Sequence, residues 1–147
     1  GLNIISTLKQ KALIIHLKLF TMSYTNVSHC GNDHLQWLKS MDFYDEDLDT
    51  LENRLVEIVK KNNGHEAMAG VEHFQNQFIV QRNNIDELKH SINEHASKVS
   101  SDVKTHAGRI ESSLNDEHDL LKEQVESFEK VINELRHEFN LFLAKWM

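Results

Sequence analysis

Residues 121–146 read LKEQVESFEKVINELRHEFNLFLAKW, and this stretch decides the fold. Apolar residues recur in it with alternating steps of four and three residues. This spacing is typical of a coiled-coil-like helix, which packs one apolar stripe against neighbouring helices. The stripe consists of Leu121, Val125, Phe128, Ile132, Leu135, Phe139, Phe142 and Trp146.

Two similar stripes precede this one. The first runs from Trp37 to Ile58, and the second runs from Val71 to Val99. Between them, the residues from Lys60 to Gly64 place basic side chains before asparagine and glycine, which is a common way for a helix to end. We therefore predict an all-α, coiled-coil-like bundle of three long antiparallel helices at about residues 32–62, 65–99 and 102–146, or of four helices if the N-terminal segment adds one.

The connection before the last helix has two candidate positions, 100–102 and 112–115, and the sequence leaves both open. With the first position, the last helix would be about 67 Å long, longer than its two neighbours, and its C-terminal end would overhang. The overhang would expose three aromatic residues that need cover. A homodimer is the simplest solution, and residues 1–31 or another protein are the alternatives. The predicted interface residues are Phe139, Phe142 and Trp146.

The N-terminal segment differs from the rest in charge. Residues 1–32 contain three lysines and no acid, so they carry +3, and the remainder carries −10 of the net charge of −7. We divide the chain into an N-terminal extension, residues 1–31, and a helical bundle domain, residues 32–147. Two interpretations of the extension stay open. Either the protein starts at Met22, or the segment forms an amphipathic helix that packs on the bundle, on a partner or, through residues 4–20, on a membrane surface.

Composition excludes several classes of protein. The chain has 147 residues, no proline and five glycines, which disfavours a turn-rich β fold. Its negative charge disfavours a nucleic-acid binder, and its longest apolar run is too short to span a membrane. The single cysteine, Cys30, cannot form an intrachain disulfide and fits a reducing compartment, so we expect a cytoplasmic protein.

Three polar residues interrupt the apolar stripes: Tyr44, Gln81 and, on the third helix, His118 or its neighbour Glu117. With helix connections centred near residues 63 and 101, they would lie at one level of the bundle. We predict a buried polar layer that fixes the register of the helices, with a small site around a titratable histidine as the alternative. His95 also lies on a stripe, and we interpret it as a hydrogen-bonded histidine near a helix end rather than as a ligand.

Two Glu-x-x-His motifs, Glu87/His90 and Glu134/His137, have the spacing found in di-iron bundles. Both histidines lie about 200° around the helix from the leucines on the apolar stripes, Leu88 and Leu135. They should therefore face away from the core, so we predict no metal there and keep a surface or intersubunit site as an alternative. The chain has no glycine-rich phosphate loop and no G-x-S-x-G motif. We expect neither an enzyme nor a cofactor.

Several strings carry a family resemblance: Trp37-Leu38, Phe43-Tyr44, VEHFQNQF at 71–78, IDELKH at 85–90 and LRHEFN at 135–140. Over about residues 33–147 the chain resembles a family of small all-helical bacterial proteins without a known activity. The resemblance implies no site residues. The leading functional hypothesis is a non-enzymatic interaction or scaffold protein that associates with itself. The alternative is a metal-binding bundle with a di-metal carboxylate and histidine site.

Overall fold

Three long helices form the computed structural model of the protein, which describes residues 2–105 and 112–147, with side chains at 3–15 and from residue 30 onward. Helix α1 spans Leu2–Lys61, α2 spans His65–Thr105 and α3 spans Ser112–Trp146. All three pack against one another, most extensively α1 against α2. The all-α bundle is confirmed, and the described part of the chain contains no β-strand.

The first connection lies at residues 62–64, as predicted. Lys60 and Lys61 occupy the last turn of α1, where basic side chains interact favourably with the negative end of the helix dipole. The Asn62 side-chain amide donates to the carbonyl oxygen of Ile58 and to that of Trp146, at 3.1 and 3.0 Å. Asn62 therefore ties the end of α3 to the end of α1.

The predicted start of the first helix, at residue 32, is wrong. Helix α1 begins at Leu2 and continues through Gly31, so the N-terminal segment is the first part of α1 rather than a separate fourth helix. A single glycine costs a helix only about 1 kcal/mol, and no proline interrupts the run. Cys30 is buried, which places the start of the packed bundle two residues before residue 32.

The second connection lies between the two predicted positions. Helix α2 continues through 100–102, so that position is wrong, and α3 begins at Ser112. The connection itself falls on residues 106–111, outside the described residues. Because α2 is longer than predicted, α3 has 35 residues, or about 52 Å, and ends level with the connection at 62–64.

The predicted aromatic overhang is therefore absent. Phe139 is fully buried in the single chain, with its ring 5.2 Å from the rings of Phe74 and Phe78 between centroids. Phe142 packs on Phe74, and Trp146 is partly buried beside Asn62. The expectation that these three residues need a partner subunit was wrong because it depended on a connection at 100–102.

One continuous core runs along the bundle between the three helices. Its largest fully buried side chains are Met41, Leu48, Phe78, Ile85, Ile92, Ile132 and Phe139. Burying one large apolar side chain in such a core stabilises the fold by about 1.5–3 kcal/mol, because its apolar surface is removed from water. Among the described residues, none of the helices combines the length and the hydropathy that a membrane crossing requires.

Candidate metal centre

Three buried histidines meet at one level of the bundle, and each helix contributes one of them. His34 on α1, His95 on α2 and His118 on α3 are 5%, 2% and 6% exposed. One ring nitrogen from each lies within 4.8 Å of one from each of the others. Trp37 covers the cluster, with its ring 4.8 Å from that of His118 between centroids.

Hydrogen bonds orient all three rings. The Nε2 atom of His34 lies 2.8 Å from Nδ1 of His95. The Nε2 atom of His95 lies 2.9 Å from the carbonyl oxygen of Leu114, and Nε2 of His118 lies 2.8 Å from Oδ2 of Asp33. The Nδ1 atom of His118 is buried and has no hydrogen-bond partner among the described residues.

These partners assign the tautomers. A carbonyl oxygen only accepts, so His95 carries a proton on Nε2, and in its neutral form its Nδ1 atom holds a lone pair. The Nε2–H group of His34 then donates to that lone pair. By the same argument, His118 donates its Nε2–H to the Asp33 carboxylate and leaves a lone pair on Nδ1. The cluster thus places two lone pairs, on His95 and His118, beside one exchangeable N–H, on His34.

Two of the three histidines are held in the way that metal-binding histidines are. A ligating imidazole commonly donates its second N–H to a carboxylate or a backbone carbonyl, which fixes the ring and makes its other nitrogen a better ligand. His118 with Asp33 and His95 with Leu114 meet this description. Tetrahedral Zn²⁺ holds nitrogens at 2.0–2.1 Å, which sets them roughly 3.4 Å apart. To admit the ion, His34 and His95 would need to separate by roughly half an ångström, and His34 would need to carry its proton on Nδ1 so that Nε2 offers a lone pair.

Burial sets the protonation of His34. Removal from water, with smaller contributions from His95 and His118, lowers the pKa of His34 to about 4, although Asp33 acts in the opposite direction. His34 is therefore neutral at pH 7, which is the form that binds metals. Burial, then Asp33 and Asp119, raises the pKa of the Cys30 thiol. Cys30 lies one turn before His34 on α1 and is outside the cluster of mutually close ligand atoms.

The predicted polar layer divides between two levels. Tyr44 and Gln81 are buried, as is His118, but the ring contacts of Tyr44 are with Phe43 and Phe128. His118 instead joins His34 and His95. The grouping of all three residues was wrong because α2 continues to Thr105 and α3 begins at Ser112, so the two helices are joined about seven residues later than predicted. That shift moves the partner of each α3 residue by about fourteen positions along α2, roughly 20 Å.

The four residues of the Glu-x-x-His motifs lie on the outside of the bundle. Glu87, His90, Glu134 and His137 are all exposed, and the side chain of His90 is 81% exposed. His90 lies 3.8 Å from Glu94, one turn along the same helix. Within the described ranges, these motifs do not form a group of close ligand atoms.

Sequence reasoning missed the cluster although part of its signal was present. His95 and His118 lie on the apolar stripes of α2 and α3, and His34 continues the stripe of α1 one step before Trp37. Three histidines at core positions on three helices would have suggested a common site. The helix register, which depends on the second connection, was needed to bring them to one level.

Comparisons with known proteins do not add to this description. No protein-family model matches the chain. No curated protein and no solved structure gives a significant match. The resemblance to a bacterial family of helical proteins stays a prediction, and the interpretation of the site depends on the chain's own residues.

Proposed function

We propose that the protein is a metal-binding helical bundle that holds one divalent transition-metal ion, Zn²⁺ foremost, at His34, His95 and His118. The observation that carries the proposal is the convergence of three buried imidazoles, one of which has an unpartnered buried nitrogen. Leaving such an atom without a partner costs about 1–3 kcal/mol in a protein interior. A metal ion would satisfy it.

The ion would act as a clamp between the three helices. Its ligands come from separate helices near the end of the bundle that lies away from the connection at 62–64. Because the unfolded chain does not present this arrangement, the free energy of metal binding would add to the free energy of unfolding. This proposal takes up the alternative of a metal-binding bundle, but with one ion and a different set of residues.

Imidazole nitrogen suits Zn²⁺, Ni²⁺ and Cu²⁺ better than Ca²⁺ or Mg²⁺, which prefer oxygen ligands. Three protein nitrogens leave one tetrahedral position for water or for another small ligand. Since Cys30 is not among the mutually close ligand atoms, the protein bound to Co²⁺ should lack the intense near-ultraviolet band of a cobalt–thiolate bond. Appearance of that band, and its loss in Cys30→Ser, would show instead that the thiol is a fourth ligand.

The test is zinc affinity, measured by competition with a chromophoric chelator on protein made without a histidine tag. The wild type should bind one Zn²⁺ per chain. His95→Gln and His118→Gln should each weaken binding by about 100-fold or more, because even changes behind the ligands cost 10–100-fold. His90→Gln is the matched control, since His90 is exposed and outside the cluster. Circular dichroism checks that each variant folds.

Equal affinity in His118→Gln and in the wild type would overturn the proposal, as would a wild type that binds no zinc. The hypothesis of a self-associating interaction protein concerns a different surface and is independent of this result.

A further inference from the structure

The first turns of α1 carry an apolar face that no described part of the chain covers. We define the N-terminal segment as residues 3–15, all of which are exposed. At 100° per residue, five of its apolar side chains lie within an arc of about 100°. Four of these are large and 54–67% exposed. The five residues are Ile4, Ile5, Leu8, Ala12 and Ile15.

Basic residues border this face. Lys9 and Lys11 lie on either side of the apolar arc, and residues 1–32 contain no acid. One face of the segment is therefore apolar with a lysine on each flank, and Leu13 and Ile14, which are 60% and 52% exposed, lie outside this face. An apolar, acidic groove of matching length would complement it.

The surface between α2 and α3 provides such a groove, with a volume of about 550 Å³. We call it the α2–α3 groove. Leu88, Leu120, Phe128 and Val131 supply apolar area, and Leu120 and Val131 are 54% and 47% exposed. Glu87 and Glu123 lie on its two sides, one on each helix. On α2 the groove runs from residue 81 to residue 91, about 15 Å, and the N-terminal segment is about 18 Å long.

The segment cannot reach the groove of its own chain. The groove lies at the level of Asp42 on α1, which pairs with Lys89 of α2 at 2.6 Å. The centre of the segment, near Lys9, precedes Asp42 by 33 residues of the same continuous helix, about 50 Å. The segment must therefore meet a groove on another molecule.

We infer that the N-terminal segment of α1 docks in the α2–α3 groove of a second copy of this chain, and that the contact is reciprocal. A two-fold axis across α1, near residue 25, places each segment beside the other copy's groove. Such an isologous arrangement uses both surfaces in each chain and closes as a dimer. Each groove then receives a fourth helix that covers its exposed leucine and valine and brings Lys9 and Lys11 to Glu87 and Glu123.

Molar mass in solution tests the inference, measured by light scattering during size-exclusion chromatography over a wide range of concentration. The full chain should have twice the mass of one chain, which is 17.1 kDa. Leu8→Glu on the segment and Leu120→Glu in the groove should each raise the dimer dissociation constant by at least about tenfold. The control Val56→Glu changes an exposed apolar residue of α1 outside both surfaces and should leave the dimer intact.

A charge exchange tests which surfaces meet. The double variants K9E/K11E and E87K/E123K should each be monomers, because each would place like charges together. Mixed in equal amounts, they should form a heterodimer, in which one contact has exchanged charges and the other is wild type. Recovery in the mixture cannot result from misfolding of either variant.

A monomeric wild type would overturn the inference. So would a dimer that survives both double variants, because its interface would lie elsewhere. Binding of the wild type to anionic phosphatidylserine vesicles without a dimer would assign the segment to a membrane surface instead. Zinc affinity, measured on the same samples, keeps this result separate from the proposal for the histidine cluster.

Discussion

The Nε2 atom of His34 lies 2.8 Å from Nδ1 of His95, although 61 residues separate the two histidines in the chain. The contact joins α1 to α2, and the ring of His118 brings α3 to the same place. A polar cluster of this kind is costly to bury unless its members satisfy one another or bind an ion. The buried cluster should therefore affect both metal affinity and the pH dependence of stability.

Asp33 should control metal affinity without touching the metal. Its carboxylate accepts the Nε2–H of His118 and is 19% exposed as a side chain. We expect Asp33→Ala to weaken zinc binding by about 10–100-fold, since His118 would lose the partner that fixes its ring and raises its basicity. Chelator competition measures the change. Asp42→Ala is the control, because Asp42 pairs with Lys89 away from the cluster, and a similar loss of affinity there would contradict the assigned role of Asp33.

The metal-free protein should lose stability as pH falls below about 6.5. Burial lowers the pKa of His34 to about 4 from an ordinary value of 6.5. Between these values the unfolded chain binds a proton that the folded chain does not, so the free energy of unfolding rises with pH. His34 contributes a slope of up to about 1.4 kcal/mol per pH unit to the free energy of unfolding, and this contribution vanishes above pH 6.5.

Urea unfolding at several pH values, with a chelator present, measures this slope. His34→Gln should make the dependence shallower between pH 4 and 6.5, because the residue no longer titrates. His65→Gln, a change at an exposed histidine, is the control. An unchanged slope in His34→Gln would show that other groups carry the pH dependence.

We expect the Phe142 ring to leave no room for a side chain at Gly70. A Cβ atom at Gly70 would overlap the Phe142 ring, whereas one at Gly31 would meet nothing within 4 Å. Both glycines are helical, so alanine should gain about 1 kcal/mol from helix propensity at each. At Gly70, overpacking of about 1–3 kcal/mol should outweigh this gain and give a net loss of about 1 kcal/mol.

The effect of Gly70→Ala on stability should change sign when the ring of Phe142 is removed. In a Phe142→Ala background, Gly70→Ala should stabilise the protein by up to about 1 kcal/mol, as Gly31→Ala should in the wild type. Urea unfolding of the four proteins of this double-mutant cycle measures the coupling. Equal effects of Gly70→Ala in both backgrounds would mean that the ring does not set the requirement for glycine.

Arg82 should stabilise the contact between α1 and α2. Its guanidinium donates to Asp45 at 2.9 Å, to Glu52 at 3.0 Å and also to Asp49. Without it, three carboxylates on α1 would repel one another. We expect Arg82→Gln to lower the free energy of unfolding by roughly 1–2 kcal/mol at low salt, and by less in 1 M NaCl, where the charges are screened.

Arg54→Gln is the matched control. Among the described residues, Arg54 pairs within its own helix, with Glu57 at 2.9 Å, and both side chains are nearly half exposed. Its loss should cost at most about 0.5 kcal/mol. A salt-independent effect at Arg82 would indicate lost packing of its aliphatic stem rather than lost ion pairs.

The sequence by itself determined the fold class and the buried face of each helix. The alternating steps of three and four residues predicted which side chains would be buried, and Phe78, Ile85, Ile132 and Phe139 are fully buried. The first connection was also predictable, because lysine, asparagine and glycine at 60–64 end a helix through local chemistry alone.

Tertiary structure decided the register between helices and therefore the site. The apolar stripe of α2 continues in phase past Val99, so the pattern alone did not choose between the candidate turns. Because α2 continues to Thr105 and α3 begins at Ser112, His118 lies beside His34 and His95 rather than Gln81, and Phe139 is buried within its own chain. A periodic pattern fixes which face of a helix is buried, but it repeats every few residues and so leaves the offset between two helices undetermined.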